Sequence, residues 1–329
     1  MPGSDEAPVN SIYYWKTVFR LDSAEYDFLR RHDIGQIYLR MFDVCKDRDY
    51  NKKWSVVPNA TMRFEECDSA GVPDPRLSEL RFTPVVYITL DALREMDGRE
   101  GVLAGLIVER VANMCSYNEL PNVSALQLDC DWTASTERSY FDLCRAVKDE
   151  ICERDLPWKL SSTIRLHQLG RDVPPVDKGV LMVYNTGQFN DPDETNSILE
   201  IDDVRPYVGK LGSYGLPLDV AYPVYGWQLI FRDRRFIGIT SGLDLADTSK
   251  FEQEDTNSYR VKYNASVAQD HRLQHYDLVR NELSSYSDVM RVKVLIDSKL
   301  SGRRHSNILY HLDSELLSNF SDDEIDSLY

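Results

Sequence analysis

The sequence predicts an α/β protein folded as a single (β/α)8 TIM barrel with long rim loops. Eight strand-like segments alternate with helical segments along the 329 residues, and such alternation indicates a parallel sheet. Several of these strands are apolar on one face and polar on the other. One such strand would also fit a half-exposed antiparallel sheet. The two-faced pattern recurs in strands that alternate with helices, and this favours a closed barrel, with the helices behind the strands and a polar space in front.

The stretch 122–133 shows the two-faced pattern most clearly. One face of this strand carries Leu126, Leu128 and Cys130, and the other carries Gln127, Asp129 and Asp131. Sites in such barrels lie at the carboxyl ends of the strands. We therefore expect the two carboxylates at the end of this strand to lie at the mouth of the barrel.

The remaining segments follow in order. Strands are predicted at residues 12–19, 34–44, 82–90, 122–133, 160–169, 179–186, 216–225 and 307–313. Helices are predicted at 24–31, 102–114, 136–154 and 196–211, from apolar residues at helical spacing. Residues 46–81 are expected to form a long rim loop, 226–240 a hairpin extension, and the stretch before the last strand an irregular insertion. We expect a linker or disordered segment at 1–10, the barrel domain at 11–320 and a solvated acidic tail at 321–329.

Composition limits the partners. Lys and Arg number 38 against 54 Asp and Glu, a formal charge of −16, and so acidic a surface repels phosphate backbones and anionic membranes. Nucleic acid is therefore not an expected partner, and no apolar run is long enough to span a bilayer. The six cysteines show no CxxC pair or other metal spacing, so we expect neither a metal nor a cofactor.

The first ten residues carry two prolines, a glycine and two acids, with no apolar segment. As written, they are not a signal peptide. The same composition is typical of the polar tether that follows a removed export signal, which would place the protein in the cell envelope. The sequence leaves the localisation open between these interpretations.

Polar residues on the front faces of several strands form a predicted constellation. Its members are Tyr38, Arg40, Gln127, Asp129, Asp131, Arg165, His167 and Tyr184. Neighbouring strands place Asp129 beside Arg165, and a buried arginine needs a carboxylate partner. We expect Asp129 to pair with Arg165 or Arg40, and one interpretation of such a pair is a structural salt bridge. Asp131 and His167 are expected one step nearer the rim, within reach of a substrate.

Three short blocks resemble chitinase-like family-eighteen glycoside hydrolases. Residues 128–132, followed by Thr133, resemble that family's strand motif, in which alternating acids lead to a glutamate. Met182-Val183-Tyr184-Asn185 is similar to its sixth-strand motif, and residues 223–227, which end in Trp227, resemble the segment after its seventh strand. The sequence also resembles a group of uncharacterised bacterial barrel proteins, many of them predicted envelope lipoproteins. The resemblance implies a carbohydrate as partner, at the carboxyl-end face of the barrel.

Three positions depart from the family pattern. Thr133 stands where the family has its proton donor, Leu126 replaces the first acid of the strand motif, and Asn185 replaces the aspartate after the tyrosine. Family-eighteen chemistry uses the substrate's acetamido group as nucleophile together with one protein acid. Because a threonine hydroxyl cannot protonate a leaving group at neutral pH, that mechanism does not carry over.

Three hypotheses for function follow. The first is a glycoside hydrolase with relocated acids, in which Asp131 acts with Asp43 or Asp313 as acid and base. The second is an inactive barrel that binds carbohydrate. Its predicted stacking surfaces are Trp15, Trp132, Tyr184 and Trp227, and its predicted polar contacts are Arg40, Asp129, Arg165, His167 and Asn185. The third is a protein-interaction module that uses the barrel only as a scaffold.

Overall fold

The computed structural model describes residues 7–47, 55–65, 75–263, 265–266, 272–300 and 302–329, with only the backbone at 265–266. Residues 1–6 of the predicted linker 1–10 lie outside the described residues, as do 48–54 and 66–74 of the predicted rim loop.

Eight parallel strands close into a barrel. They are β1 (Asn10–Tyr14), β2 (Ile34–Lys46), β3 (Arg81–Ile88), β4 (Ala125–Asp129), β5 (Lys159–Arg165), β6 (Lys178–Met182), β7 (Leu218–Pro223) and β8 (Asn307–Tyr310). Each pairs with the next in sequence, and β8 pairs with β1. This order confirms the predicted (β/α)8 barrel.

Helices cover the outside of the barrel. They are α1 (Ser23–Arg31), α2 (Leu90–Glu95), α3 (Glu100–Tyr117), α4 (Glu137–Glu153), α5 (Ile201–Val204), α6 (Tyr286–Lys299), α7 (Ser314–Leu317) and α8 (Asp322–Leu328). The start of α1 is set by a capping box, in which the Asp22 carboxylate accepts from the amide of Glu25 and the Glu25 carboxylate accepts from the amide of Asp22. Within the described residues, no helix has both the length and the apolarity to cross a membrane.

The two faces of the central strand point as predicted. Leu126 and Leu128 are fully buried in the apolar layer between strands and helices. Gln127 lies inside the barrel, where its side-chain oxygen accepts a hydrogen bond from the Tyr13 hydroxyl over 2.6 Å. Inside and outside faces therefore alternate along β4, because successive strand side chains point in opposite directions.

An antiparallel sheet is inserted between β7 and α6. Its strands, in spatial order, are Arg235–Thr240, Gly226–Arg232, Leu278–Leu283, Ser258–Val261 and Phe251–Gln253, and a small apolar cluster supports it. The amide and hydroxyl of Ser284 both donate to the carbonyl of Tyr225. The insertion therefore leaves and rejoins the barrel at one hydrogen-bonded neck. The predicted hairpin at 226–240 forms the first two strands of this sheet in chain order.

Two of the differences between predicted and observed elements have a clear local cause. The predicted helix at 196–211 is wrong: only α5 and a 3₁₀ turn at Val208–Ser213 form, because Pro206 cannot continue a helix. The predicted strand at 160–169 ends at Arg165 and passes into a 3₁₀ turn at Leu166–Gly170. Gln168 enforces this turn, since its buried side chain accepts from the amide of Arg165 and donates to the carbonyl of Trp132.

The acidic C-terminal segment is ordered, contrary to the expectation of a solvated end. It forms α8, whose acids lie in the first turn after the N-cap Ser321, where the helix dipole favours negative charge. Ile325 and Leu328 are fully buried against the main core, and the Tyr329 hydroxyl donates to the carbonyl of Ser11.

This packing predicts that Ile325→Ala lowers the free energy of unfolding by about 2 to 5 kcal/mol, through lost burial and a residual cavity. Asp323→Ala, at an exposed position of the same helix, should change it by less than about 1 kcal/mol, because it removes only an exposed interaction with the helix dipole. Urea denaturation measures both. Equal, small effects would mean that α8 does not pack on the barrel.

Candidate functional site

A cleft of about 410 Å³ opens at the carboxyl ends of β4, β5 and β6. It brings together six predicted site residues: Asp131, Arg165, His167, Tyr184, Asn185 and Trp227. Phe189, Tyr207 and Ile239 complete its wall. The cleft thus combines charged groups with aromatic rings at the end of the barrel where sites are found.

A larger groove of about 830 Å³ lies on the flank of the barrel, between α3 and the strand Val56–Asn59. It is lined mainly by apolar side chains and contains none of the predicted site residues. Size alone would favour this groove, but converging polar groups identify a site better than volume does. The smaller cleft at the mouth is therefore the candidate site.

Arg165 connects two carboxylates at the end of β5. Its Nε donates to Asp131 Oδ1, and its Nη2 donates to Asp129 Oδ1 over 3.3 Å. Asp129 is almost fully buried and also accepts from the Thr163 hydroxyl over 2.6 Å. The predicted pairing of Asp129 with Arg165 is confirmed. Asp131 is the member that solvent reaches, with 44% of its side chain exposed against 18% for Arg165.

The charges in this cluster shift one another's pKa. Burial raises the pKa of Asp129, the arginine opposes this, and the nearby carboxylate of Asp131 adds to the rise. Burial alone would lower the pKa of Arg165, but Asp129 and Asp131 raise it above its usual range. The guanidinium is therefore a permanent cation, and Asp129 holds a proton more readily than an exposed aspartate does.

Tyr184 and Tyr310 form an aromatic layer beside this cluster. Their rings stack with centroids 4.5 Å apart, and the Arg165 guanidinium lies 5.9 Å from the centre of the Tyr184 ring. Burial first, and then the charge of Asp129, raises the pKa of Tyr310, whereas Arg165 and Arg40 lower it. Tyr310 therefore lies within the field of both arginines.

The second arginine pairs with a different aspartate. Arg40 Nε donates to Asp43 Oδ1 over 2.9 Å, and Nη2 donates to Oδ2, so the contact is bidentate. The guanidinium lies 5.3 Å from the centre of the Trp15 ring. A register shift in β2 between Arg40 and Phe42 places Asp43 level with Tyr87 of β3, which is level with Asp129 of β4. The carboxylates of Asp43 and Asp129 thus belong to one belt across the mouth.

Asp313 is placed away from these groups. It is the N-cap of α7, where its Oδ1 accepts from the amides of Glu315 and Leu316 over 3.1 and 3.2 Å. It does not line the cleft that contains Asp131 and Arg165. Its carboxylate therefore stabilises a helix terminus, and the structure does not bring it together with Asp131.

Three other expectations need correction. His167 lines the cleft from the 3₁₀ turn, exposed, and not from the strand face shared with Arg165. Trp132 is fully buried against Tyr140 and Phe141, so it belongs to the core and offers no stacking surface. The predicted strand 122–133 ends at Asp129, so Asp131 and Thr133 lie in the loop before α4.

The far wall of the cleft comes from the insertion and from the loop after β6. Trp227, on the first inserted strand, donates from Nε1 to the buried carboxylate of Glu282 over 2.7 Å. The centre of its ring lies 6.3 Å from the centre of the Phe189 ring and 5.6 Å from that of the Tyr225 ring. The Tyr225 hydroxyl donates to the side-chain oxygen of Asn185 over 2.5 Å. Asn185 is therefore held at the base of the wall.

The sequence interpretation missed four residues of this region: Thr163, Tyr87, Glu282 and Tyr310. Tyr87 shares the strand face of Thr83, so alternation along β3 could have indicated it. Burial raises the pKa of Tyr87, and the negative charges of Asp131 and Asp129 raise it further. Across the described ranges of the chain, no three His, Cys, Asp or Glu side chains are grouped to hold a metal ion.

The fold is a (β/α)8 barrel that is distantly similar to solved structures of glycoside hydrolase family 18. No family model matches the sequence, and no curated protein is significantly similar to it.

Several solved structures share the fold. The Bacillus cereus spore cortex-lytic enzyme SleL superposes with a TM-score of 0.52 at 12% identity, over 97% of this chain and 76% of that one. A chitinase from Chromobacterium violaceum gives 0.50 at 12% identity, over 95% and 98%. A family 18 N-acetylglucosaminidase from Paenibacillus barengoltzii gives 0.50 at 12% identity, over 98% and 100%. Similarity at this level of identity shows the fold alone.

The cluster predicts that Arg165→Met destabilises the protein by about 3 to 5 kcal/mol at neutral pH, because it leaves a buried carboxylate without its cation. Asp129 already has a raised pKa in the folded state, and losing Arg165 raises it further. A group with a raised folded pKa stabilises the fold at acid pH, and this stabilisation is lost as pH rises. The deficit of the variant should therefore be larger at about pH 7 than at about pH 4.5.

Arg171→Met is the matched control, because Arg171 pairs with Glu137 nearer the surface. This substitution should lower the free energy of unfolding by less than about 1 kcal/mol. Urea denaturation at both pH values measures the deficits. A deficit for Arg165→Met that equals the control, or that does not change with pH, would contradict a buried charge cluster.

Proposed function

We propose that this barrel binds a carbohydrate in the cleft at its mouth and does not hydrolyse it by the family-eighteen route. The observation that carries the binding is that the aromatic side chains of Trp227 and Phe189 line the same cleft as Asp131 and Arg165. The observation against hydrolysis is that the carboxylates of Asp131 and Asp43 are both held by arginines. Their charge is therefore committed to ion pairs.

The wall and floor of the cleft suit a sugar ring. Trp227 and Phe189 provide apolar surface on one side, and Asp131 and Arg165 provide hydrogen-bonding groups on the other. A pyranose has apolar faces and a polar edge, so it can pack on an aromatic ring while its hydroxyls bond to charged side chains. The cleft, at about 410 Å³, falls within the size range of small-molecule sites.

Neither Asp131 nor Asp129 is suited to act as a general acid. Such a group needs a proton and must reach the leaving oxygen, and an arginine partner favours the charged form of a carboxyl group. Asp129, whose pKa is raised, is almost fully buried and already bonded to Thr163 and Arg165. Thr133, at the position of the family's proton donor, has no acidic group.

A second candidate is the hydrolase with relocated acids. It is favoured by the fact that Asp129 and Asp131 share one arginine, since unequal environments can separate the pKa values of two neighbouring carboxyls. In this candidate Asp131 is essential for turnover.

A screen for both binding and release decides between the candidates. Solved structures with this fold include chitinases and a spore cortex-lytic enzyme, so chitin oligomers and peptidoglycan fragments are the first probes. We expect binding without release. Trp227→Ala should weaken binding about tenfold or more, which corresponds to roughly 1.4 kcal/mol of lost contact.

Trp158→Ala is the matched control, because Trp158 precedes β5 at the opposite end of the barrel and should leave affinity unchanged. Glycan release by the wild type that disappears in Asp131→Asn would instead establish the hydrolase. Absence of binding to any glycan would reject both candidates and favour the protein-interaction hypothesis.

A further inference from the structure

The inserted sheet contains a buried ion pair that the proposed function does not use. Arg280 and Glu282 lie two residues apart on the same buried face of the strand Leu278–Leu283. Each is only 1% exposed. Arg280 Nε donates to Glu282 Oε1 over 2.7 Å. Neither side chain lines the cleft, but both make contacts directly behind its wall.

Glu282 holds two parts of that wall with its second oxygen. Oε2 accepts from Trp227 Nε1 over 2.7 Å and from the Ser197 hydroxyl over 2.6 Å. Trp227 belongs to the insertion, whereas Ser197 belongs to the loop 186–198 that follows β6. One carboxylate therefore fixes the angle of the aromatic ring and ties the loop to it.

Arg280 holds the same loop by its backbone. Nη1 donates to the carbonyl of Asp191 over 2.7 Å, and Nη2 donates to the carbonyl of Phe189 over 3.3 Å. Its guanidinium also lies 4.9 Å from the centre of the Phe231 ring. Since Phe189 lines the cleft, the arginine sets the position of the second aromatic group of the wall.

The neighbouring contacts leave little freedom for an alternative arrangement. Asn196 Nδ2 donates to the carbonyl of Leu283 over 3.1 Å, and Asn257 Nδ2 donates to the carbonyl of Thr195 over 2.8 Å. Gly226, just before Trp227, runs so close to the adjacent strand that a Cβ there would lie 2.7 Å from the carbonyl oxygen of Glu282.

A buried ion pair stabilises a small sheet poorly, because removing two charges from water costs free energy and an apolar pair of similar volume often stabilises it as well. Here the hydrogen bonds of both ions lead to cleft residues or to the loop that carries them. The pair therefore does what an apolar pair could not do, which is to fix the direction of side chains and carbonyls.

We propose that Glu282 and Arg280 are positioning residues that set the affinity of the cleft by holding Trp227 and Phe189. This inference rests on the proposed carbohydrate binding for its effect on affinity, and on the structure alone for its effect on the wall. It gives the inserted sheet a direct part in the affinity of the cleft.

The test uses three variants of the full chain. Trp227→Phe keeps an aromatic ring and removes the donor, Ser197→Ala removes the contact of the loop with Glu282, and Glu282→Gln removes the charge. Trp158→Phe is the matched control at the other end of the barrel. Protein labelled with 5-fluorotryptophan gives one fluorine resonance for each tryptophan, and the resonance of Trp227 is assigned by its loss in Trp227→Phe.

We expect the Trp227 resonance to shift or broaden in Ser197→Ala and Glu282→Gln, with the other resonances unchanged. Affinity for a chitin hexamer, as the probe, should fall by about two- to tenfold in Ser197→Ala and Trp227→Phe, the effect of losing one ordering hydrogen bond. Trp158→Phe should leave both the affinity and the Trp227 resonance unchanged. If Glu282→Gln does not fold, Ser197→Ala decides the outcome.

An unchanged Trp227 resonance in Ser197→Ala would overturn the positioning role, even if the wild type binds the hexamer. A changed resonance with unchanged affinity would overturn the link to affinity. If the wild type binds no chitin oligomer or other glycan, the proposed function fails, while the fluorine resonance still decides whether Glu282 positions the wall.

Discussion

The positive charge of Arg165, almost enclosed at the mouth of the barrel, is the constraint to which the surrounding side chains conform. A guanidinium there has lost most of its water and must be neutralised by nearby carboxylates. Asp129 and Asp131 supply that charge from the end of β4, and Thr163 supplies a further donor to Asp129. Tyr184 offers its ring to the same cation. The adjacent ends of β4, β5 and β6 are therefore linked by electrostatics as well as by their backbone ladder.

The same constraint commits the acids of the mouth to ion pairs. Asp129 ends β4, Asp131 follows it in the loop, and Arg165 pairs with both carboxylates. A second arginine, Arg40, pairs with Asp43 on β2. Trp227 and Phe189 add aromatic surface to the cleft that contains Asp131 and Arg165. The mouth thus combines paired charges with aromatic surface.

Sequence patterns predicted those parts of the site that depend on local alternation. The faces of β4 and the pairing of Asp129 with Arg165 follow from strand geometry and from the order of the strands. The contact between Arg40 and Asp43 does not, because the register shift between Arg40 and Phe42 reverses the alternation within β2. The position of His167 does not follow from alternation either. Gln168 forces a turn there through a contact with the distant carbonyl of Trp132. The role of Glu282 depends on Ser197, 85 residues away in sequence, and no local pattern reports such a contact.

The hydrogen-bonded neck at Tyr225 and Ser284 separates two kinds of change that can occur in this protein. The strands that close the barrel lie on one side of it, and the sheet that carries Trp227 and Glu282 lies on the other. An exchange of the segment between these two residues would alter the wall of the cleft without altering a pair of barrel strands. The neck is therefore a natural graft point, at which a sheet from another barrel could be joined to make a chimera with a different ligand.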